Sequence, residues 1–376
     1  MIIRRLKSID TFRGLCMSWM VLVHLTGWWL NSDFFWLHGI LIMIFDPIGA
    51  SGFLFIAGVS IMLSHRKKFK KSKNSEQYNK RMIRNEYFFR ALLVLIVALI
   101  YNTCVAIAIN NLTWIWSWFV LLTIAVSFFI AWPLLNTPKY LRIFLGIVIW
   151  IGDKLILNIL ILHEGQPNVL GVLFHILYNG YHLDPILTFF PFFLFGTVVG
   201  DVIYDILGRN DPEHIRKNFK NHFFIPAILI GGVLVLINVF FQFPEFLFRR
   251  TLPWVIYSLG IVLILFSILL TIEIFGFMER EKSYKFLFYY SYYSLTVYLG
   301  HNILFFLFYN QLNLFNVWFF FIGAFIAIGL LLRAIHRKWS EKASLKYHLS
   351  KLSIGLARKI ESRRVSQEDI TRKINI

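Results

Sequence analysis

The sequence predicts an all-α fold, a polytopic membrane helix bundle of about ten transmembrane helices with both termini in the cytoplasm. Of its 376 residues, 58% are hydrophobic and only 15% are charged, whereas a soluble domain carries about a quarter charged residues. Ten apolar stretches are also long enough to cross a bilayer, which takes roughly 17 to 25 residues of helix. They cover residues 12–30, 37–63, 87–109, 114–132, 141–162, 185–207, 223–243, 253–275, 290–309 and 315–335. These observations exclude a water-soluble enzyme.

The positive charge orients these spans. The formal net charge of +18 is one that a nucleic-acid-binding protein could share. With the N-terminus in the cytoplasm, however, all but three of the 38 Lys and Arg residues fall on the cytoplasmic side, the exceptions being Lys154, Arg249 and Arg250. This is the asymmetry of the positive-inside rule. Because the charge is spread over loops, we predict no nucleic-acid partner and a multi-pass integral location, in the cell membrane if the source is prokaryotic.

The first span carries polar residues that a bilayer normally excludes, within the segment RRLKSIDTFRGLCMSWMVLVHL. Asp10 and Arg13 are three residues apart and are therefore neighbours on one helix face at the cytoplasmic end. His24 follows Asp10 by roughly 21 Å of helix rise, which places it in the outer part of the bilayer. Asp10 could instead cap the helix and pair with Arg13, and His24 could bond a neighbouring helix. Ionisable residues at membrane depth are nevertheless candidate site residues.

The second span is predicted to break near Asp46. Pro47 cannot donate to the helical hydrogen-bond ladder, and a small-residue run that starts at Gly49 follows it directly. Irregular backbone at membrane depth persists only beside protein or a water-filled cavity. We therefore expect Asp46 either to line a cavity or to bond freed backbone donors. His38, at the start of this span, is either a site residue at the depth of His24 or a hydrated interface residue.

The ninth span contains His301 and Asn302 near mid-membrane, in the segment YYSYYSLTVYLGHN. Both are candidate site residues, and the alternative is an interhelical hydrogen bond.

Neither a metal site nor a disulfide is predicted. His163, His175 and His182 follow the fifth span at spacings of 12 and 7, which match no metal-ligand pattern. Cys16 and Cys104 both lie inside apolar runs, so they indicate no disulfide framework.

The C-terminal segment, residues 336–376, is predicted to be a basic amphipathic cytoplasmic tail that follows a membrane domain of residues 1–335. Its apolar residues recur on one helical face: Leu345, Leu349, Leu352, Leu356 and Ile360. A helix of this kind lies in the interface against anionic membrane lipid.

Several blocks of the sequence resemble one known family. RRLKSIDTFRGLCMSWMVLVH, followed about thirty residues later by FLFIAGVSIMLS, is similar to the opening of the heparan-alpha-glucosaminide N-acetyltransferase catalytic-domain family. FFRALLVLIVA, FFPFFLFGTVVGDVI and SLTVYLGH fall in the order of that family's later blocks. The most specific block is S-I-D-x-x-R-G with a histidine eleven residues beyond Arg13. The wider transmembrane acyltransferase superfamily has a similar early pattern.

The resemblance implies a multi-span acetyltransferase domain over residues 1–335. Such an enzyme takes an acetyl group from acetyl-CoA, its co-substrate, in the cytoplasm and delivers it to an amino sugar or glycan on the far side. The family's catalytic histidine best matches His38, and the polar residue that ends the first-span motif matches His24. Arg13, with Arg5 or Arg90, would contact the donor phosphates. We thus expect His38 and His24 to be catalytic, and we expect these residues to bind substrate or co-substrate: Asp10, Arg13, Asp46, His301 and Asn302.

The expected chemistry is attack of a sugar amine or hydroxyl on a thioester, for which a neutral histidine is the usual base. We assign His38 as that base and His24 as the residue that orients the nucleophile or stabilises the oxyanion. An acetyl-histidine intermediate is an alternative.

Two other classes of protein remain open at this stage. One is a transporter or flippase-like carrier of an acyl or lipid-linked group, in which the buried ionisable residues would line a path. The other is a noncatalytic membrane receptor or scaffold with the same fold. A homodimer is also left open.

Overall fold

The computed structural model describes residues 5–73, 79–179, 183–208, 211–276 and 285–374, with side chains described up to residue 364. Within these ranges the regular structure is helical, and extended pairing is limited to an isolated bridge between Leu30 and Leu312. The predicted all-α polytopic bundle is therefore confirmed.

The longer helices run as follows: α1 Lys7–Trp29, α2 Phe35–Phe45, α3 Ala50–Ser72, α4 Lys80–Ala108, α5 Val120–Leu134, α6 Lys139–Leu160, α7 Val169–Tyr178, α8 Ile186–Leu207, α9 Pro212–Phe219, α10 Ile225–Phe241, α11 Leu252–Ile274, α12 Lys285–Tyr292, α13 Ser294–Gly300, α14 Asn316–Trp339 and α15 Leu345–Ile374.

Among the described residues, eight helical segments are long and apolar enough to cross a membrane. Two of the ten predicted spans fall outside this set. The first is α1, a long helix whose apolar character is reduced by polar residues such as Arg13 and His24. The other is the ninth span, which is divided into α12, α13 and the 3-10 turn His301–Phe306. The count of ten and the cytoplasmic position of both termini stay predictions.

The centre of the bundle is formed by α1, α3, α8 and α11. Phe266 of α11 meets both Phe12 of α1 and Phe55 of α3 edge-on, at centroid distances of 5.6 and 5.7 Å. Helices α3 and α8 approach at their glycines: a Cβ on Gly58 would lie 2.1 Å from the Phe193 carbonyl oxygen, and one on Gly196 would lie 2.0 Å from that of Phe55. This close approach fits the small-residue packing of membrane helices.

The second span breaks where the sequence predicts. Helix α2 ends at Phe45, a 3-10 turn covers Asp46–Ile48, and α3 begins at Ala50. Gly49 joins the two parts, and a Cβ there would meet both the backbone and the side chain of Asp46 at 3.1 Å. The break turns Asp46 towards the interior of the bundle, where it is buried.

The tail helix α15 packs on the bundle more closely than a helix lying only on lipid. Ser353 and Ala357 are fully buried, and the side chain of Asn79, which precedes α4, donates to Glu361 at 2.6 Å. Leu352 and Ile360 are 50% and 45% exposed. The predicted apolar face of α15 is therefore only partly covered by protein, because α4 packs against a neighbouring face of the helix.

Candidate functional site

A cavity of 590 Å³ passes along α1 through the middle of the bundle. Its lining residues come mainly from α1, α3 and α5, together with α4, α13, the segments before α8 and α11 and the start of α15. Arg13 and His24 of α1 both line it, and eleven residues of helix separate them by roughly 17 Å. The two ends of the cavity differ in chemistry.

One end of the cavity is built around Asp10; following the predicted orientation we call it the cytoplasmic end, and the opposite end the outer end. Its carboxylate accepts two hydrogen bonds from Arg5, at 2.7 and 3.0 Å, and one from the Ser291 hydroxyl at 3.0 Å. Arg13 lies 4.0 Å from the same carboxylate and donates instead to the Ser60 hydroxyl at 2.6 Å. The predicted proximity of Asp10 and Arg13 is thus observed, with Arg5 as the closer partner.

Cations outnumber anions at this end. The described cationic residues that line it are Arg5, Arg13, Lys67, Arg90 and Lys346. Asp10 is the carboxylate among the described lining residues here, and Arg5 already binds it. An anionic ligand with several charges would therefore be favoured at this position.

The start of α1 is held by a distant carboxylate. Glu273 of α11 accepts the backbone N–H groups of Lys7 and Ser8, at 2.8 and 2.7 Å. These N–H groups belong to the first helical turn and have no intrahelical acceptor. Sequence reasoning did not find Glu273, because its partner lies hundreds of residues away and no local capping pattern marks it.

At the outer end, His24 pairs with His301. Nδ1 of His24 lies 2.6 Å from Nε2 of His301, and Nδ1 of His301 lies 2.7 Å from the carbonyl oxygen of Tyr298. A carbonyl only accepts, so Nδ1 of His301 carries a proton, and in the neutral ring Nε2 is therefore an acceptor. Nδ1 of His24 then donates to His301, which leaves Nε2 of His24 with a lone pair. Trp28 stacks on His301 and holds the pair from one side.

His38 lies near His24, close enough for electrostatic interaction, but it makes a different hydrogen bond. Its Nδ1 is 3.0 Å from the Thr26 hydroxyl, and a Cβ on Gly27 would approach its ring to 3.0 Å. Among the described residues that line the cavity His38 does not appear, whereas His24 does. The structure thus pairs His24 with His301 and gives His38 a separate partner.

Arg249 joins two buried carboxylates at the outer end. Its Nε lies 2.9 Å from Asp46 Oδ2, and its Nη2 donates to Asp184 at 2.6 Å. All three side chains line the cavity. Burial raises the pKa of Asp184 to about 6, against the opposing pull of Arg249. In the sequence, Arg249 stands out only as an exception to the charge asymmetry, and no local motif marks Asp184.

The remaining predicted site residue, Asn302, accepts a hydrogen bond from Tyr101 at 3.2 Å and is absent from the described cavity lining.

Two other buried acids have structural partners. Asp201 binds Arg66 and Arg142, and Asp153 accepts from Tyr178 and Thr188. These contacts tie α3, α6, α7 and α8 together away from the cavity.

Within the described ranges, no cluster of three or more His, Cys, Asp or Glu side chains could hold a metal ion. His163 is hydrogen-bonded to Gln166, and His182 lies outside the described residues. Cys16 and Cys104 are free thiols.

The fold and cavity define a polytopic membrane protein with an anion-attracting end and an opposite end that presents an imidazole and carboxylates. A sequence model described as "Heparan-alpha-glucosaminide N-acetyltransferase, catalytic" matches residues 5–243. The chain therefore belongs to this family, and its function is that of a transmembrane acetyltransferase-like protein. Curated proteins yield no match to the chain. The matched region includes Arg13, His24, His38 and Asp46 but ends before Arg249.

Proposed function

We propose that the protein takes an acetyl group from acetyl-CoA in the cytoplasm and transfers it to an amino sugar or glycan on the far side of the membrane. The observation that carries this proposal is the cavity, which joins a basic end to an end with an available imidazole nitrogen. A donor with a phosphorylated head and a long thioester arm suits both ends at once.

At the cytoplasmic end, Arg13 and Arg90 would contact the donor phosphates. Guanidinium groups bind phosphate through strong, charge-assisted hydrogen bonds. The thioester would then extend along α1 for roughly 17 Å to reach His24. The cavity walls along this path are mainly apolar, and Met17, Met20 and Phe53 are among them.

His24 is the base that the geometry supports best. Its Nε2 would take the proton from the acceptor amine or hydroxyl as that group attacks the thioester carbonyl carbon. The new C–N or C–O bond forms, the C–S bond breaks, and the thiolate of CoA leaves and takes up a proton. His301 serves as a positioning residue, because its hydrogen bond fixes the tautomer of His24.

The family resemblance assigns the catalytic role to His38. In this second assignment His38 would be the base and His24 would orient the nucleophile. Variants separate the two. If His24 is the base, His24→Ala abolishes transfer and His38→Ala leaves measurable turnover; the reverse result would establish His38.

Asp46, Asp184 and Arg249 would face the acceptor. Carboxylate oxygens accept from sugar hydroxyl or amino groups, and a guanidinium donates to sugar oxygens. This cluster lies at the same end of the cavity as His24, so acceptor and base would meet there.

The deciding experiment uses purified protein, labelled acetyl-CoA and a panel of amino sugars and lipid-linked glycans. Labelled acetylated product is expected, and Arg13→Ala should weaken donor binding while His24→Ala spares it. Absence of acetyl-CoA binding and turnover across the panel would refute the proposal. Passage of an intact acyl or lipid-linked group through the protein in vesicles, without chemical transfer, would favour the carrier.

A further inference from the structure

Lys346, near the start of α15, extends into the cytoplasmic end of the cavity. Together with Leu349 it gives the C-terminal helix a share in the cavity lining. Its ammonium donates to the backbone carbonyl of Ser291 at 3.2 Å, and the hydroxyl of Ser291 donates to Asp10. The helix therefore meets the site at the residues that anchor the start of α1.

The charge around Lys346 is unbalanced within the described structure. Its ammonium forms no ion pair there, and Arg13 and Arg90 line the same end of the cavity. The charge of Asp10 is already balanced by Arg5, whose Nε lies 2.7 Å from the carboxylate, so Asp10 does not also neutralise Lys346. Bringing a lysine into a cluster of like charges is unfavourable unless an anion joins them. The arrangement is explained if a polyanionic ligand completes the cluster.

We infer that Lys346 binds a phosphate group of the CoA donor, so that the C-terminal helix forms one wall of the donor site. This inference rests on the proposed function and adds to it a residue that lies outside the region matched by the family. It also predicts a coupling, because a bound donor would hold the start of α15 to the bundle through Lys346.

Packing along α15 supports this role. The helix has two small, fully buried residues, Ser353 and Ala357, and its Leu349 packs against the main hydrophobic core. Its first residue is tied to α13 by the Leu345 N–H, which donates to the Thr296 hydroxyl at 3.3 Å. These contacts hold the start of α15, and with it Lys346, against the bundle.

The test compares Lys346→Met with Lys351→Met in the full-length protein. Lys351 lies on the same helix and is exposed, so the control removes an equal charge outside the cavity. Binding of CoA and of 3′-dephospho-CoA is measured by calorimetry. We expect Lys346→Met to weaken CoA binding roughly tenfold, the effect of one charge-assisted hydrogen bond, and Lys351→Met to change it less than about twofold. Lys346→Arg keeps the charge and should bind CoA nearly as well as the wild type, which would show that the loss in Lys346→Met comes from the missing charge.

A second measurement reads the coupling directly. CoA should slow amide hydrogen exchange at the start of α15 in the wild type and in Lys351→Met, but not in Lys346→Met.

The outcomes are distinct. Wild-type protein that binds no CoA overturns the proposed function and this inference with it. Wild-type protein that binds CoA, with both Met variants equally affected or both unaffected, overturns only the role of Lys346. If Lys346→Met weakens CoA tenfold but leaves 3′-dephospho-CoA unchanged, Lys346 binds the 3′-phosphate; equal loss for both ligands assigns it to the diphosphate.

Discussion

Arg249→Met should destabilise the protein and so measure how much the cluster of Asp46, Asp184 and Arg249 contributes to stability. The substitution keeps an apolar stem and removes the guanidinium that binds Asp46 at 2.9 Å and Asp184 at 2.6 Å. Both carboxylates are buried, so each loses its cationic partner without gaining full hydration. Breaking a buried pair typically costs about 3–5 kcal/mol. The Arg249 side chain is 26% exposed, and water can replace part of the lost interaction, so we expect about 2–3 kcal/mol.

The loss should depend on pH. Burial raises the pKa of Asp184 to about 6, so at pH 5 this carboxyl is mostly protonated and has less need of Arg249. At pH 8 it is ionised and the missing cation matters more. Removing Arg249 raises the pKa of Asp184 further. Because the folded protein then holds this proton more tightly than the unfolded chain does, its stability falls as the pH increases towards the raised pKa. The destabilisation should therefore be larger at pH 8 than at pH 5.

The assay is reversible unfolding in mixed micelles, followed by tryptophan fluorescence at both pH values. Arg250→Met is the matched control: it removes a neighbouring arginine that also attracts both carboxylates but makes neither of the two contacts described, so it should cost less than Arg249→Met. Adding Asp184→Asn to Arg249→Met should recover part of the loss, because one unpaired carboxylate is then removed. Equal costs for the two arginine variants, or a loss that is larger at pH 5, would refute the reasoning.

The remaining predictions concern packing, capping and tautomer control. Gly58→Ala should sharply reduce the yield of folded protein in size-exclusion profiles, because its Cβ would lie 2.1 Å from a backbone oxygen, whereas Gly152→Ala, with nothing within 4 Å, should be tolerated; similar profiles for both would contradict this. Glu273→Ala should lower unfolding stability by about 1–2 kcal/mol through loss of the acceptor at the start of α1, and an unchanged unfolding midpoint would argue against that role. His301→Ala should reduce kcat and alter its pH profile while sparing the Kd for acetyl-CoA, since it releases the tautomer of His24; an unaltered pH profile would mean that His301 only packs.

Local chemistry made part of the fold predictable from sequence. The break at Asp46 follows from Pro47 and the glycines beside it, and the proximity of Asp10 and Arg13 follows from helical spacing. Both features are decided within a few residues of chain, where backbone geometry leaves little freedom.

The pairings that build the site lay beyond such reasoning. His24 bonds His301, Asp46 binds Arg249, and each pair is separated by most of the chain. Residue type indicated that these groups need partners, but only helix packing selects which partner is within reach. The same limit applies to His38: similar depth in a bilayer predicts that it lies near His24, but does not predict that its hydrogen-bond partner is Thr26.

Helix α1 also fixes the distance that the donor must span between its phosphates and its thioester. Arg13 and His24 belong to one uninterrupted helix, so the interval between them cannot stretch or shorten when neighbouring helices tilt. With a shorter thioester arm, the donor could not place its phosphates at Arg13 and its carbonyl at His24 at the same time. A longer acyl chain would carry its methyl end past the imidazole towards Asp46 and Arg249, where charged groups disfavour hydrocarbon. The fixed separation of Arg13 and His24 would thus favour donors with small acyl groups, even though no closed pocket in the described part of the chain excludes larger ones.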